Sequence, residues 1–126
     1  MSDVGEIEVT LTAGPVAAAV LRRVVGAVAA QAELPIDRIQ DATLVMDTLL
    51  GALAADKVSA VFVPREQGIE IAVGPLMDGE GVRLLSQIEL PDPGPIVRGL
   101  SDRVWIDGEG RPQEYVCVLI GRSAAR

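Results

Sequence analysis

The chain has 126 residues, a formal net charge of −7 and no histidine. That length supports one domain with one core, and the acidity excludes nucleic acid as a partner, because phosphates demand a basic surface. Without histidine there is no imidazole base and no His-ligated metal, and Cys117, the single cysteine, excludes an internal disulfide.

Hydrophobic residues make up 49% of the chain but only Phe62, Trp105 and Tyr115 are aromatic, so the core must be built from Val, Leu, Ile and Ala. The acidic start, MSDVGEIEV, lacks the basic-then-apolar pattern of a leader. The longest apolar run, Pro15 to Ala30, is interrupted by Arg22-Arg23 and is too short and too charged to span a membrane. The expectation is a soluble cytoplasmic domain over residues 1–126, with 123–126 a frayed tail.

In chain order, Ile7, Val9 and Leu11 alternate with polar residues and predict a half-buried strand, ended by Gly14-Pro15. An Ala/Val-rich helix follows from Val16 to Ala32, with Arg22 and Arg23 to one side as a solvated face or a contact for an acidic partner. A second helix is predicted from Ile36 to Ala55. Ile39, Ala42, Met46, Leu49, Leu50 and Leu53 form its main apolar face, and Leu44, Val45, Thr48 and Ala52 its far side. A helix greasy on both sides is covered on both, by core or by a partner. Asp47 lies at the border, about 100° from the middle of the main face. KVSAVFVP and GIEIAVGP predict a hairpin, with Gly74-Pro75 stopping its second strand. EGVRLLSQIEL predicts a short helix, PDPGP an irregular break and PIVRGLSDRV another helical turn. RVWID and EYVCVLIGR close the chain as a second hairpin, joined by GEGRPQ, and the last strand is apolar on both faces and therefore central. The predicted fold class is α+β, a two-layer sandwich with helices on one face of a largely antiparallel or mixed sheet.

The segments IEVTLTAGPVAAAVLRRVVGAVAA, ELPIDRIQDATLVMDTLLGAL and VRGLSDRVWIDG together resemble the Bergerat-fold (GHKL) ATPases, more narrowly the bacterial anti-sigma-factor serine kinases. The resemblance covers nearly the whole chain and implies a site for ATP and magnesium built from three boxes. Matching Asp41 and Asp47 to the family's aspartates puts Thr48 at the family's catalytic glutamate and Ala52 at its magnesium-binding asparagine. A methyl group cannot replace a hard oxygen ligand. Gly74-Pro75 falls where the adenine-reading aspartate belongs, and Asp78-Gly79-Glu80-Gly81 comes about three residues later with different spacing. Pro91-Asp92-Pro93-Gly94 falls at the phosphate box, where proline has no N–H to give.

The resemblance therefore implies a regulatory protein-binding domain that has lost nucleotide chemistry. Its partner would be a sigma factor or an antagonist with the anti-anti-sigma fold, and its greasy first helix allows a homodimer. No cofactor and no metal set is expected on this reading. The alternative is an active ATP- and magnesium-dependent serine kinase. It would have Asp47 as the candidate catalytic base and Thr48, Asp78, Gly79 and Gly81 as candidate nucleotide contacts. An unrelated enzyme would have to use a carboxylate pair, Asp78 with Glu80 or Asp107 with Glu109, in turn-like stretches where exposed acids are common.

Overall fold

The computed structural model describes residues 6–108 and 113–123. Residues 1–5, Glu109 with the rest of the GEGRPQ loop up to position 112, and tail positions 124–126 lie outside the described residues.

Among the described residues there are five strands and four helices. They are β1 (Ile7–Thr12), α1 (Pro15–Gln31), α2 (Ile36–Ala52), β2 (Lys57–Pro64), β3 (Gly68–Met77), α3 (Glu80–Leu85), α4 (Pro93–Leu100), β4 (Arg103–Asp107) and β5 (Gln113–Gly121). The strands form one sheet in the order β1-β2-β3-β5-β4, and each neighbouring pair is antiparallel. The connection from β3 through α3 and α4 to β4 crosses over β5, which places β5 inside the sheet rather than at its edge. The fold is thus α+β in two layers.

The period-two pattern sets which face is covered. Val58, Ala60 and Phe62 of β2, Ile69, Ile71 and Val73 of β3, and Val116, Val118 and Ile120 of β5 belong to one core. Against them pack Leu21 and Val25 of α1, Met46 and Leu49 of α2, Leu84 of α3 and Val97 of α4. Phe62 is the aromatic of this otherwise aliphatic core.

Several boundaries differ from the sequence expectation. Helix α2 stops at Ala52, three residues early, because Leu53 turns extended. Val45 faces the core and is fully buried, while Leu44 beside it is 49% exposed. The helix is therefore not apolar on two opposite sides. Its buried face is wider than assigned, as a helix packed on a sheet and between two other helices requires. Strand β3 does not end at Gly74-Pro75 but runs on to Met77, with a register shift between Val73 and Leu76. A bulge is where a strand tolerates proline, since no ladder N–H is needed there. Helix α3 ends at Leu85, short of SQIEL, and PDPGP is not an irregular break: α4 begins inside it at Pro93, a residue suited to the first helical turn.

Helix α1 closes with a Schellman pair: Leu34 N–H donates to Ala29 C=O (3.1 Å) and Glu33 N–H to Ala30 C=O (3.0 Å). Glu33 takes the left-handed position, φ 63°, that glycine normally fills, and Leu34 is buried behind it. The start of α2 is fixed by Arg38, whose side chain is 4% exposed. Its Nε donates to Gly121 C=O (2.9 Å), one terminal nitrogen donates to Asp41 (2.8 Å) and Leu100 C=O (3.2 Å), and the other to Asp102 (2.9 Å). Asp102 also accepts from Gly121 N–H at 3.1 Å, so one arginine ties α2, the end of α4 and the end of β5 together.

Candidate functional site

Two hollows flank the second half of α2 and meet over it at Asp47 and Gly51. One, of about 510 Å³, lies between α2, the start of α1 (Gly14 to Ala18) and Val58. The other, of about 530 Å³, is walled by Thr48 and Ala52 of α2, Leu76, Glu80, Arg83 and Leu84 around α3, and Gln87, Pro91, Pro93 and Ile96 near α4. The second hollow is lined by some of the positions that the resemblance assigns to a nucleotide site, Thr48, Ala52, Glu80, Pro91 and Pro93, but not by Asp78, Gly79 or Gly81.

Asp47 stands on the ridge between the hollows. Arg22 of α1 reaches across to it: Nε lies 3.2 and 3.3 Å from its two carboxylate oxygens and a terminal nitrogen 3.1 Å from one of them. Asp47 and Arg22 thus form an exposed ion pair between α2 and α1, with side chains 36% and 51% exposed. Thr48 donates its hydroxyl to Leu44 C=O, 2.7 Å away on its own helix. Ala52 contributes only a methyl group to the wall.

Asp78 is exposed in the turn before α3, and Gly79 is left-handed at φ 87°, a conformation that favours glycine. The amides of Gly79 and Gly81 do not face the hollow as donors. Both donate to the Glu114 carboxylate, each at 2.8 Å, and Glu114 is fully buried. A Cβ on Gly81 would come within 2.8 Å of both Glu114 Oε1 and Ile106 Cδ1, so glycine is needed there for packing. Glu80 accepts from Met77 N–H at 2.8 Å and does not face Asp78 as an acid–base partner. Of the pair Asp107 and Glu109, only Asp107 is described, exposed at the end of β4.

At α4 the first turn holds Pro93 and Pro95, which have no N–H, and Gly94 between them donates to the Gln87 side chain at 2.9 Å. Arg98 then fastens the α3–α4 connection by donating to Leu85 C=O and Gln87 C=O (2.5 and 2.7 Å). The amides of Gly79 and Gly81 at α3 and of Gly94 at α4 are thus satisfied from within the chain. Neither Glu114 nor Gln87 was singled out in the sequence. Glu114 had a signal: it shares the parity of Val116, Val118 and Ile120, so the alternation alone aims it inward.

Among the described residues no group of three or more Asp, Glu or Cys is placed to hold a metal ion, and no helix is long and apolar enough to cross a membrane. Cys117 has its thiol pushed up to about 11, by burial first and by the nearby Asp107 second, which disfavours the thiolate. Comparison of the chain with protein-family models and with curated proteins finds no match.

Proposed function

We propose that this chain is a regulatory protein-binding domain, a Bergerat-fold relative of the anti-sigma kinases that works without a nucleotide. The observation that carries this reading is the internal use of the amides at the starts of α3 and α4, by Glu114 and by Gln87. A triphosphate needs several converging amide donors, and magnesium needs an oxygen ligand where Ala52 presents a methyl. The groups around the hollow do not fit either one.

The groove formed by the two hollows is the proposed contact surface, for a sigma factor or its antagonist. It crosses α2 at Gly51, where an added Cβ would meet nothing within 4 Å. Calorimetric titration with ATP and magnesium is expected to give no heat of binding, and clear micromolar binding overturns the nucleotide-free reading. Gly51→Arg fills the crossing point and replaces a helix-interior glycine, so it keeps the fold at full stability or better. It is expected to abolish binding of a sigma factor or antagonist that the unaltered chain binds. Undiminished binding would place the contact elsewhere.

A further inference from the structure

Across α2 from the second hollow lies the hollow of about 510 Å³ between α1 and α2. Of the positions that the resemblance assigns to a nucleotide site, only Asp47 borders it. Its wall is small and aliphatic, with Ala17 of α1, Leu50 and Leu53 at the end of α2, and Val58 of β2. Glycine leaves the room open: an added Cβ at Gly14 or at Gly51 would meet nothing within 4 Å. The charged side chains on this wall are Arg22 and Asp47, one of each sign. They stand in contact, with Arg22 Nε and one terminal nitrogen 3.1 to 3.3 Å from the Asp47 oxygens. The other terminal nitrogen of Arg22 has no acceptor among the described residues, and Asp47 accepts from no donor there but Arg22.

We propose that this hollow binds a free aliphatic amino acid, leucine or one of similar size, as its zwitterion. Such a ligand mirrors the wall: an apolar body, one anion and one cation. Its two charges sit on one carbon, as the two charges of the wall sit in contact. The α-carboxylate takes the unengaged N–H groups of Arg22, and the α-ammonium takes the remaining lone pairs of Asp47. The ion pair stays intact, because a guanidinium has five donors along separate edges and a carboxylate about four acceptor sites. Both contacts are charge-assisted, the stronger kind of hydrogen bond. The aliphatic side chain covers Leu50, Leu53 and Val58. The volume lies within the roughly 300–1,000 Å³ typical of small-molecule sites. A residue at the end of a protein chain matches less well, since an N-terminus lacks the carboxylate and a C-terminus lacks the ammonium. The hollow is half of the proposed contact groove, so an occupant would exclude a protein partner from it. That consequence rests on the partner reading; the binding itself does not.

The test is a titration of the chain alone with L-leucine, followed by backbone amide shifts in NMR. Shifts are expected in residues 13–22 and 47–58, around the hollow, with a Kd of about 1 mM or below. Leucinamide lacks the carboxylate and N-acetyl-leucine lacks the ammonium, and each is expected to bind about tenfold more weakly or worse. Asp47→Asn and Arg22→Gln are each expected to weaken L-leucine by a similar factor. No shift at about ten times that Kd overturns the proposal, and so do shifts confined to another part of the chain. Leucinamide or N-acetyl-leucine binding as tightly as leucine also overturns it and makes the occupant a chain terminus. Leucine bound undiminished by both variants does the same to the roles of Arg22 and Asp47, and with them to the site. Should a variant fail to fold, the two analogues on the unaltered chain decide. No partner is present in the titration, so its failure leaves the partner reading standing, and a partner that binds elsewhere leaves the amino-acid site standing.

Discussion

At the scale of single residues, Arg38 carries more of the architecture than any acid near the groove. Its guanidinium is nearly all removed from water and is matched by two carboxylates and two carbonyls on three different elements. Removing it strands Asp41 and Asp102 beside each other with no cation between them. Arg38→Met is expected to cost about 3 kcal/mol, the usual scale for breaking a buried pair from one side. Arg38→Lys should recover little, since an ammonium cannot point donors along the same planar fork. Urea midpoints check both. The pair Arg22–Asp47 is different, with side chains 51% and 36% exposed. Asp47→Asn is expected to change stability by less than about 1 kcal/mol; a larger loss would mean that Asp47 holds α1 on α2. Cys117 gives the pH counterpart. Its thiol is raised from an ordinary 9.0 to about 11, so the folded state holds that proton more tightly than the unfolded state does. The associated stability is complete below pH 9 and drains away as pH rises through about 11. Thiol reagents should label Cys117 slowly at pH 8 in the native protein and fast in urea.

At the scale of elements, Glu114 decides whether α3 exists. Six residues are too few for a helix to hold alone, and Glu114 supplies both acceptors at its start. Glu114→Ala leaves two amides without partners in a buried place and is expected to cost about 2–4 kcal/mol, with amide exchange in residues 79–85 rising well above the rest of the chain. If exchange there stays slow, α3 is held by Leu84 alone and the carboxylate is dispensable. The end of α1 offers the reverse effect. Glu33 is held left-handed at φ 63°, so Glu33→Gly is expected to stabilise the protein by up to about 1 kcal/mol. These two positions also show where sequence reading stops. The strands and the two long helices were legible because their apolar residues recur with period two or 3.6, and the α+β class followed from their order. The end of α2, the continuation of β3 past Pro75 and the helical start inside PDPGP were not legible, because each is settled by packing against a distant element. The groove was half legible. Thr48 and Ala52 line the second hollow, while the groups that occupy the amides come from β5 and from the α3–α4 connection; alternation aims Glu114 inward but does not say which amides it meets.

At the scale of the whole molecule, charge and core pull in opposite directions. There are 18 acids against 11 bases, so the folded chain repels itself at neutral pH. Salt screens that repulsion, which stabilises. It also screens exposed pairs such as Arg22–Asp47 and Arg65–Glu70, which destabilises. The sizes decide the sign. Each exposed pair contributes at most about 1 kcal/mol and often nothing measurable. The repulsion acts among all the excess acids at once, and the Arg38 cluster, whose guanidinium is withdrawn from water, is screened less than the surface pairs. Raising the ionic strength from about 10 mM to about 150 mM shortens the screening length from about 30 Å to about 8 Å. The unfolding temperature is therefore expected to rise by a few degrees, about 1 kcal/mol in stability. Asp47→Asn removes one of the excess acids, so it should be better tolerated at low salt than at high salt. Thermal melts of both chains across that range check the pair of statements together. A melting temperature that falls with salt would mean that surface ion pairs, not the aliphatic core under the sheet, hold this fold.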